Sequence, residues 1–388
     1  MRHRRCACWK ASGEFMSRQI KRLAAEEKQK ARELYERIFD EDSVGFVEYY
    51  FQNKAANNTI YAVEEKGKIL SMLHLNPYPM QVFGRQQDTA YIVAVATREE
   101  CRHQGMMASL LKTSLGDLYD QKSPFAWLMP AAEAIYRPFG FRYLYSKNQM
   151  FLDWEACKKI EDESETEERE ANRTAVQDNK DFVKISCQTA AQEDVAALAD
   201  FAGQQLPHIA HVYTKHDGAY FRDLIKSVES DGGRLVMFMR EGEVCGYFLA
   251  SEEAKEAWEI LVSRECSKAA PAKILEWFQA GKRDKIKLLA FPKEWEMERV
   301  KENPAIMGRI VHLETFVKNW RLPEKRNWTL KLQDDVIPEN NGYFRIEIGP
   351  ETGNIERLSG WREGMREMEI GQLQKELFCV PVFLNELV

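Results

Sequence analysis

One stretch, from Thr89 to Leu111, limits the possible folds more than any other part of the chain. Its residues Tyr91 to Val95 are β-branched, aromatic and apolar without Gly or Pro, which predicts a buried strand. Glu99 to Gln104 is polar and charged, as expected of a turn. From Gly105 onward apolar residues recur at helical spacing, at Met107, Leu110, Leu111, Leu115 and Leu118. The stretch therefore predicts a strand, a tight loop and a helix in direct succession.

The loop of this unit carries groups that are suited to bind phosphate. The first turn of a helix has unpaired N–H groups and a positive dipole end, which attract anions such as a pyrophosphate. Gly105 allows a close approach because it has no Cβ, and Arg102 adds a charge-assisted partner. A short glycine motif is weak evidence by itself. An ordinary βα unit of an α/β core, with an exposed arginine, is the alternative.

The loop residues also resemble a family signature. Arg102-His-Gln-Gly105-Met-Met107 is similar to the Arg/Gln-x-x-Gly-x-Gly/Ala signature of the GCN5-related N-acetyltransferases (GNATs), although Met107 stands where Gly or Ala is usual. The resemblance implies acetyl-CoA as co-substrate, with its pantetheine arm bonded to the strand backbone at Val95, Ala96 and Thr97. It places the pyrophosphate on the loop and first helical turn, at Arg102, His103, Gln104, Gly105, Met106, Met107 and Ala108. An exposed loop histidine without a phosphate contact is the alternative for His103.

A second block, Pro130 to Phe141, follows the next predicted strand. Ile135-Tyr136 followed by Phe139-Gly140-Phe141 resembles the Glu-Gly-x-Ile-Tyr-x-x-Phe-Gly-Tyr block of the enhanced-intracellular-survival (Eis) acetyltransferases. The resemblance implies that Tyr136 protonates the departing CoA sulfur, and that Ala132 and Glu133 lie near the acetyl group. An O–H of pKa ~10 can deliver such a proton. For Tyr136 alone, a tyrosine of the core or its rim is the alternative.

The Eis group takes its general base from the free C-terminal carboxylate, which here belongs to Val388. The apolar tail Val380 to Leu384 suits a buried chain end. An α-carboxyl of pKa ~3.5 is a weak base for an ammonium of pKa ~10. Burial would raise that pKa, a bridging water could relay the proton, or the carboxylate could mainly orient the amine. Glu386 is the alternative base.

The element pattern predicts an α+β fold with tandem GNAT-type mixed-sheet domains. Residues 16–155 form the predicted active domain, in the order helix, β-hairpin, strand, loop and helix, strand, helix, strand. Residues 182–295 repeat the pattern, since Leu235 to Ala250 parallels Ile60 to Leu75 as strand, acidic-Gly turn and strand. This copy lacks the Arg-x-x-Gly loop and is expected to be degenerate. An unrelated α/β domain is the alternative.

Residues 296–388 resemble the sterol-carrier-protein-like α/β domain that ends the Eis-group chains, on the phrase Ile306-Met-Gly-Arg-Ile-Val-His-Leu313. Residues 1–15 are expected to be a disordered or non-native leader. Residues 156–181 are expected to be an acidic linker or insertion, since Glu161 to Glu170 carries seven acidic residues in ten.

Three local patterns make predictions about single elements. Ala25 to Phe39 has the apolar spacing of one long helix. Asn76 to Pro79 contains two prolines and is expected to end the strand that begins at Lys68. Gly364 to Phe378 has a helical pattern.

Composition narrows the function classes. The formal net charge of −6 argues against a nucleic-acid-binding protein, and the lack of any run of 18 apolar residues argues against a membrane span. The eight cysteines contain no CxxC and are expected to be reduced thiols of a cytoplasmic protein. No metal is expected, because Cys6 with Cys8, and the separate group of His208, His211 and His216 with Asp217, lack the spacing of known metal sites.

The partners follow from the resemblance. The acceptor is expected to be an amine-bearing small molecule or peptide, such as an aminoglycoside, a polyamine or a lysine side chain. The Eis group assembles as hexamers, so a homo-oligomer is expected, and a hexamer if the chain follows its group. A CoA-binding regulator without turnover, or a carrier of an apolar ligand through the last domain, are the alternative functions.

Overall fold

The computed structural model describes residues 19–160, 184–295 and 300–384. These residues form two compact units. The first contains the described residues of Met1–Leu144, together with His211–Thr214 and Ile306–Val382. The second contains those of Tyr145–Ala210, Lys215–Ala305 and Phe383–Val388. The predicted leader, the acidic run Glu161 to Glu170, and Val388 lie outside the described residues.

The elements up to residue 152 alternate between strands and short helices. The strands are β1 (Gln19–Arg22), β2 (Thr59–Glu65), β3 (Lys68–Val82), β4 (Arg85–Thr97), β5 (Phe125–Leu128) and β6 (Arg142–Leu152). The helices are α1 (Arg32–Ile38), α2 (Val44–Tyr49), α3 (Ala55–Asn57), α4 (Met106–Asp120) and α5 (Glu133–Tyr136). A π-helical turn, Tyr50–Lys54, joins α2 to α3, and 3₁₀ turns occupy Ala25–Ala31, Glu99–Cys101 and Arg137–Phe139.

The later elements follow the same mixed pattern. They are β7 (Ser186–Thr189), α6 (Val195–Ile209), β8 (Val212–Thr214), α7 (Gly218–Ser230), β9 (Arg234–Arg240), β10 (Glu243–Ser251), β11 (Glu256–Val262), α8 (Ala270–Trp277) and β12 (Ile286–Leu289). The chain continues with β13 (Lys301–Ile310), α9 (Leu313–Asn319), β14 (Arg326–Gln333), β15 (Gly342–Ile348), β16 (Gly353–Leu358), β17 (Arg366–Glu369), α10 (Ile370–Leu377) and β18 (Val382–Phe383). Among the described helices, none is long and apolar enough to cross a membrane.

The main sheet of the first unit has the order β1-β2-β3-β4-β5-β13. Neighbours are antiparallel except for β4 and β5, which run parallel. One face packs against α4, where Ile92 joins a core cluster with Leu110 and Leu115. The other face packs against the helical layer of α1 and α2, where Ala94 joins a cluster with Tyr50. The core therefore lies on both faces of β4, the strand that leads into the predicted phosphate loop.

The prediction that the prolines of Asn76 to Pro79 end β3 is wrong. β3 continues to Val82, with Pro77 paired to Ala90 and Pro79 to Asp88 of β4. Pairing with β2 ends at Leu75, and pairing with β8 begins only at Met80. Between these points the described structure records β4 as the one neighbouring strand, and such an edge position tolerates a missing N–H.

Two other local predictions need correction. The predicted helix from Ala25 to Phe39 is a 3₁₀ turn over Ala25–Ala31 followed by α1. The predicted helix from Gly364 to Phe378 begins with a strand, β17, because residues 366–369 pair in parallel with β14. β14 and β17 are about 36 residues apart in sequence, and local periodicity cannot reveal a pairing over that distance.

β14 to β17 form a separate four-stranded sheet of the first unit, in the order β16-β15-β14-β17. The same C-terminal part of the chain completes the main sheet, since Met307 pairs with Leu128 and Ile310 with Phe125. Buried Gln374 of α10 joins these parts. Its side chain accepts from the Ile310 N–H at 2.9 Å and donates to the Gly308 carbonyl at 2.6 Å.

The sheet of the second unit has the order β7-β9-β10-β11-β12-β6. The first three pairings are antiparallel, β11 and β12 are parallel, and β12 with β6 is antiparallel. This succession of directions is the one found along β1-β2-β3-β4-β5-β13. The second unit therefore repeats the strand topology of the first, with β11 in the place of β4 and β12 in the place of β5.

Candidate functional site

A bulge distorts β4 immediately before its end. Met72 pairs with Ala96 and His74 with Val93, so three steps along β4 match two along β3. The extra residue is accommodated where Ala94 adopts a left-handed backbone with φ 51°. A bulge of this kind redirects the N–H and C=O groups next to it. The redirected groups lie in the segment predicted to bond a pantetheine arm, Val95 to Thr97.

β4 and β5 part next to the bulge. Their parallel register consists of Ala90 with Ala126 and Tyr91 with Trp127, after which β5 ends at Leu128. β4 continues to Thr97, paired with β3 on its other side. The part of β4 from the bulge onward is therefore an open strand edge with respect to β5. An extended ligand can add to such an edge through main-chain hydrogen bonds.

The equivalent strands of the second unit do not part. β11 has the same kind of bulge, since its register with β10 shifts between Tyr247 and Leu249, and Glu259 has φ 50°. Pairing with β12 nevertheless extends to Trp258 and Leu289, and beyond it the Ile260 N–H donates to the Ala290 carbonyl at 3.1 Å. The groups that stay open beside β4 are thus used within the sheet in the second unit.

The loop after β4 is fixed at its base by a buried arginine. Arg98 is 6% exposed, and its Nε donates to the Ile69 carbonyl at 2.8 Å. Its Nη2 donates to Glu33 Oε1 of α1, also at 2.8 Å. Arg102 is different: its side chain is half exposed and its Nη2 lies 4.0 Å from Glu99 Oε1. Arg98 therefore anchors the loop, and Arg102 is the cation that an approaching anion can reach.

The start of α4 presents N–H groups to the loop. The first helical bond runs from the Ser109 N–H to the Gly105 carbonyl at 3.0 Å, so the N–H groups of Met106, Met107 and Ala108 have no acceptor within the helix. Gly105 has φ 76° and His103 φ 61°. Left-handed residues in a turn can direct successive N–H groups toward one anion. This geometry is what a pyrophosphate site at this loop requires.

Tyr136 lies at the end of α5, in the apolar cluster beneath α4. It is 6% exposed and packs edge-on against Phe141, with ring centroids 6.0 Å apart. Met106 and Leu128 belong to the same cluster, and half-buried Val95 packs against it. Burial raises the pKa of Tyr136 to about 12. The phenol is therefore protonated at neutral pH, as a proton donor must be.

The other predicted residues of this block lie at the surface. Ala132 precedes α5 in an extended conformation and is exposed. Glu133 is half-exposed, with its Oε1 3.4 Å from Arg137 Nη1. Val388, the predicted source of the base, and its alternative Glu386 lie outside the described residues. The described structure thus brings Val95, Met106 and Tyr136 into one cluster, and the base stays a prediction.

Sequence reasoning missed a buried polar pair beside the bulge. His74 Nδ1 lies 2.8 Å from the Tyr50 hydroxyl, and the Asn58 side chain donates to that hydroxyl at 3.3 Å. His74 is fully buried and pairs with Val93, next to Ala94. Burial, with a smaller contribution from Lys28, lowers its pKa to about 3, so the ring is neutral. β3 is buried at every position from Ile69 to Asn76, so strand alternation could not have singled out this histidine.

No group of three or more His, Cys, Asp or Glu within the described residues is placed to hold a metal ion. The six described cysteines are all free, and five of them are buried or half-buried. The polar groups described above around β4 include backbone N–H groups, Arg102, a neutral histidine and a protonated tyrosine.

Comparison with known proteins shows which family this region is similar to. Residues 19–144 match the family model for the acetyltransferase (GNAT) domain. The matched region is called the GNAT domain below. It contains the bulge, the loop and Tyr136, so the predicted cofactor and catalytic residues all fall within the GNAT domain except Val388. No curated protein matches the chain in sequence.

Solved structures resemble the chain far beyond the GNAT domain. A conserved Enterococcus faecalis protein described as a probable N-acyltransferase has a TM-score of 0.73 at 17% identity, over 92% of this chain and 89% of that one. A GCN5-related N-acetyltransferase from Anabaena variabilis has a TM-score of 0.71 at 16% identity, covering 93% and 90%. Eis1 from Mycobacterium abscessus has a TM-score of 0.64 at 13% identity, covering 93% and 89%. At these identities the likeness concerns the fold, which extends over nearly the whole chain.

Proposed function

We propose that the protein is an N-acetyltransferase that moves the acetyl group of acetyl-CoA to a primary amine. The observation that carries the proposal is the parting of β4 and β5 beside the Ala94 bulge, directly before a loop at the N-terminus of α4. An extended thioester arm and a pyrophosphate need these two features next to each other. The names of the Enterococcus and Anabaena neighbours, an N-acyltransferase and an N-acetyltransferase, add support for the complete chain.

Acetyl-CoA would bind along the open edge of β4. Its pantetheine amides would bond the backbone of Val95 and Thr97, as a further strand would. Its pyrophosphate would accept from N–H groups between His103 and Ala108, with Arg102 supplying a charge-assisted bond. The thioester would then lie near the cluster that contains Tyr136.

The proposed reaction is a direct transfer. The nitrogen of the neutral amine attacks the thioester carbonyl, a C–N bond forms, and the C–S bond breaks. Tyr136 donates its phenolic proton to the departing sulfur, and a base takes the proton that the amine nitrogen loses. We assign the base to the Val388 carboxylate, with Glu386 as the alternative. General acid–base catalysis of this kind contributes on the order of 10²–10⁴-fold.

The acceptor is proposed only by class, as a primary amine on an aminoglycoside, a polyamine, a lysine side chain or a peptide. We further propose an Eis-like arrangement, in which residues 296–388 form the sterol-carrier-protein-like part and the chains assemble as hexamers. The likeness to Eis1 supports the Eis-like fold of the chain.

The test is a thiol-release assay with acetyl-CoA and a panel of amines. We expect release that depends on the amine and on Tyr136. Tight binding of acetyl-CoA in a calorimeter, without thiol release for any amine, would contradict the proposal and favour a CoA-binding regulator. A lipid retained in native mass spectrometry, together with no acetyl-CoA binding, would favour a carrier of an apolar ligand.

A further inference from the structure

The 3₁₀ turn that directly follows Tyr136, Arg137–Phe139, is held by a buried arginine far downstream in the chain. Arg309 of β13 donates from Nη1 to the carbonyl of Phe139, in the 3₁₀ turn that directly follows α5. Arg309 also forms an ion pair with Asp334. The two side chains are fully buried, with 0% of Arg309 and 1% of Asp334 exposed. A fully buried cation bonded to a backbone carbonyl fixes the position of that carbonyl, since neither group has water as an alternative partner.

Asp334 fixes Arg309 in turn. Arg309 Nη2 lies 2.7 Å from Asp334 Oδ1 and 2.6 Å from Oδ2. The carboxylate also accepts from the N–H groups of Val336 at 3.0 Å and Ile337 at 2.9 Å, and from the Asn340 side chain at 2.9 Å. The ion pair is thus tied to the backbone on both sides, which makes it a rigid support.

A second arginine holds the same turn from another direction. Arg142 Nη1 donates to the carbonyls of Arg137 at 2.9 Å and Phe141 at 2.8 Å. Its guanidinium lies against Gly371 of α10, where an added Cβ would come within 2.6 Å of Arg142 Cζ. Close packing also surrounds Gly140, which has φ 85° and where a Cβ would lie 3.3 Å from Arg309 Nη1. Two guanidinium groups therefore bind three carbonyls in the segment from Arg137 to Phe141, which follows Tyr136.

We propose that Arg309, oriented by Asp334, is a positioning residue for Tyr136. The inference rests on the proposed function, in which Tyr136 is the general acid. Arg309 acts by fixing the turn that directly follows α5. A general acid works only when its O–H is held at the departing atom, and a displacement of about 1 Å can lower the rate 10²-fold.

The experiment is a double-mutant cycle between Tyr136 and the Arg309–Asp334 pair, called the support below. The support is removed by Arg309→Met combined with Asp334→Asn. This combination leaves no lone buried charge, and the introduced asparagine keeps a side-chain oxygen for the N–H groups of Val336 and Ile337. We expect kcat to fall roughly 10-fold or more, with the KM for acetyl-CoA unchanged. In a Tyr136→Phe background the same pair of substitutions should lower kcat less than about 2-fold, because the acid is already absent.

A readout without turnover accompanies the cycle. The protein is labelled with 3-fluorotyrosine, and the resonance of Tyr136 is identified by its loss in Tyr136→Phe. We expect this resonance to shift or broaden when the support is removed. The matched control is Arg345→Met, which removes an arginine of β15 from an exposed pair with Glu356 and should change neither kcat nor the resonance.

Two results would overturn the proposal: an equal fall of kcat in both backgrounds, or an unchanged Tyr136 resonance. The failure of the proposed function looks different. If Tyr136→Phe alone leaves kcat unchanged, Tyr136 is not the acid, and the fluorine resonance still decides whether Arg309 holds its turn. If no amine gives thiol release, the fluorine resonance of Tyr136 still decides whether Arg309 holds the turn after α5.

Discussion

The N–H of Ile260 donates to the carbonyl of Ala290 at 3.1 Å, in the second unit, at the position that corresponds to the open edge of β4 in the GNAT domain. The two strand sets share topology, and both bulges have a left-handed residue, Ala94 or Glu259. They differ in whether the parallel pair stays together past the bulge. One chain thus contains an open and a closed version of the same arrangement.

This difference predicts the stoichiometry of cofactor binding. Because Ile260 uses its N–H within the sheet, β11 offers no open edge to a pantetheine arm at the position that corresponds to the open edge of β4, as far as the structure describes the second unit. We expect isothermal titration with acetyl-CoA to give one site per chain. Two equal sites per chain would show that the closed strands open on binding, and would contradict this reading of the second unit.

Arg102 should contribute to cofactor binding. A hydrogen bond to a charged group contributes about 1.5–3 kcal/mol, so Arg102→Ala should raise the KM for acetyl-CoA roughly 10- to 100-fold. The kcat at saturating acetyl-CoA should change little, since the proposed acid is untouched. Lys112→Ala removes an exposed cation of the same helix and serves as the control. If both variants show the same small effect, general charge attraction rather than a specific contact is responsible.

Tyr136→Phe should lower kcat by about 10²-fold or more with little change in acetyl-CoA binding. A general acid must be protonated, so its contribution is lost as pH rises through its pKa. That pKa is raised to about 12 by burial. In wild-type protein we therefore expect no fall of kcat near pH 10, where an unperturbed tyrosine ionises. An alkaline limb centred at pH 10 that disappears in Tyr136→Phe would show that the phenol is less buried in the working enzyme.

The chain end should be sensitive to extension. If the Val388 carboxylate is the base, a few residues added after it should abolish most activity while acetyl-CoA binding and the melting temperature are retained. Glu386→Gln separates the alternatives, because it leaves the terminal carboxylate in place. Full activity of an extended chain, combined with inactivity of Glu386→Gln, would transfer the role to Glu386.

His74 should make stability depend on pH. Its pKa is lowered to about 3 in the folded protein by burial, against about 6.5 when unfolded. The unfolded chain binds the extra proton, so the contribution is complete above pH 6.5 and is lost as pH falls toward 3. In this window the free energy of unfolding rises with pH by about 1.4 kcal/mol per unit. Urea unfolding at several pH values should show a smaller slope for His74→Gln, and an unchanged slope for the exposed control His208→Gln.

Sequence patterns predicted the elements whose signals are local. The strand, loop and helix from Thr89 to Leu111 are β4, a 3₁₀ turn and α4, since β-branched residues and helical periodicity are contiguous there. The repeat of the hairpin at residues 235–250 is also confirmed, as β9 and β10. Both rest on short-range patterns that tertiary contacts did not override.

Features that depend on distant residues could not be predicted in this way. β3 passes through Pro77 and Pro79 because its neighbours change at Leu75 and Met80, which local sequence does not reveal. The support of the Tyr136 turn by Arg309 joins residues 170 positions apart. No sequence pattern distinguishes an arginine that becomes buried from an exposed one, and His74 belongs to no recognisable motif.

The position of β13 also bears on how the protein is made. During synthesis, β5 emerges long before its antiparallel neighbour, since Leu128 pairs with Met307. At 5–20 residues per second, the ribosome needs on the order of 10 to 40 s to make the intervening chain. During that time one edge of β5 lacks its partner strand, and such an edge can pair with a strand of another nascent chain. Until β13 has been translated, the growing polypeptide therefore has a strand edge at which it can aggregate.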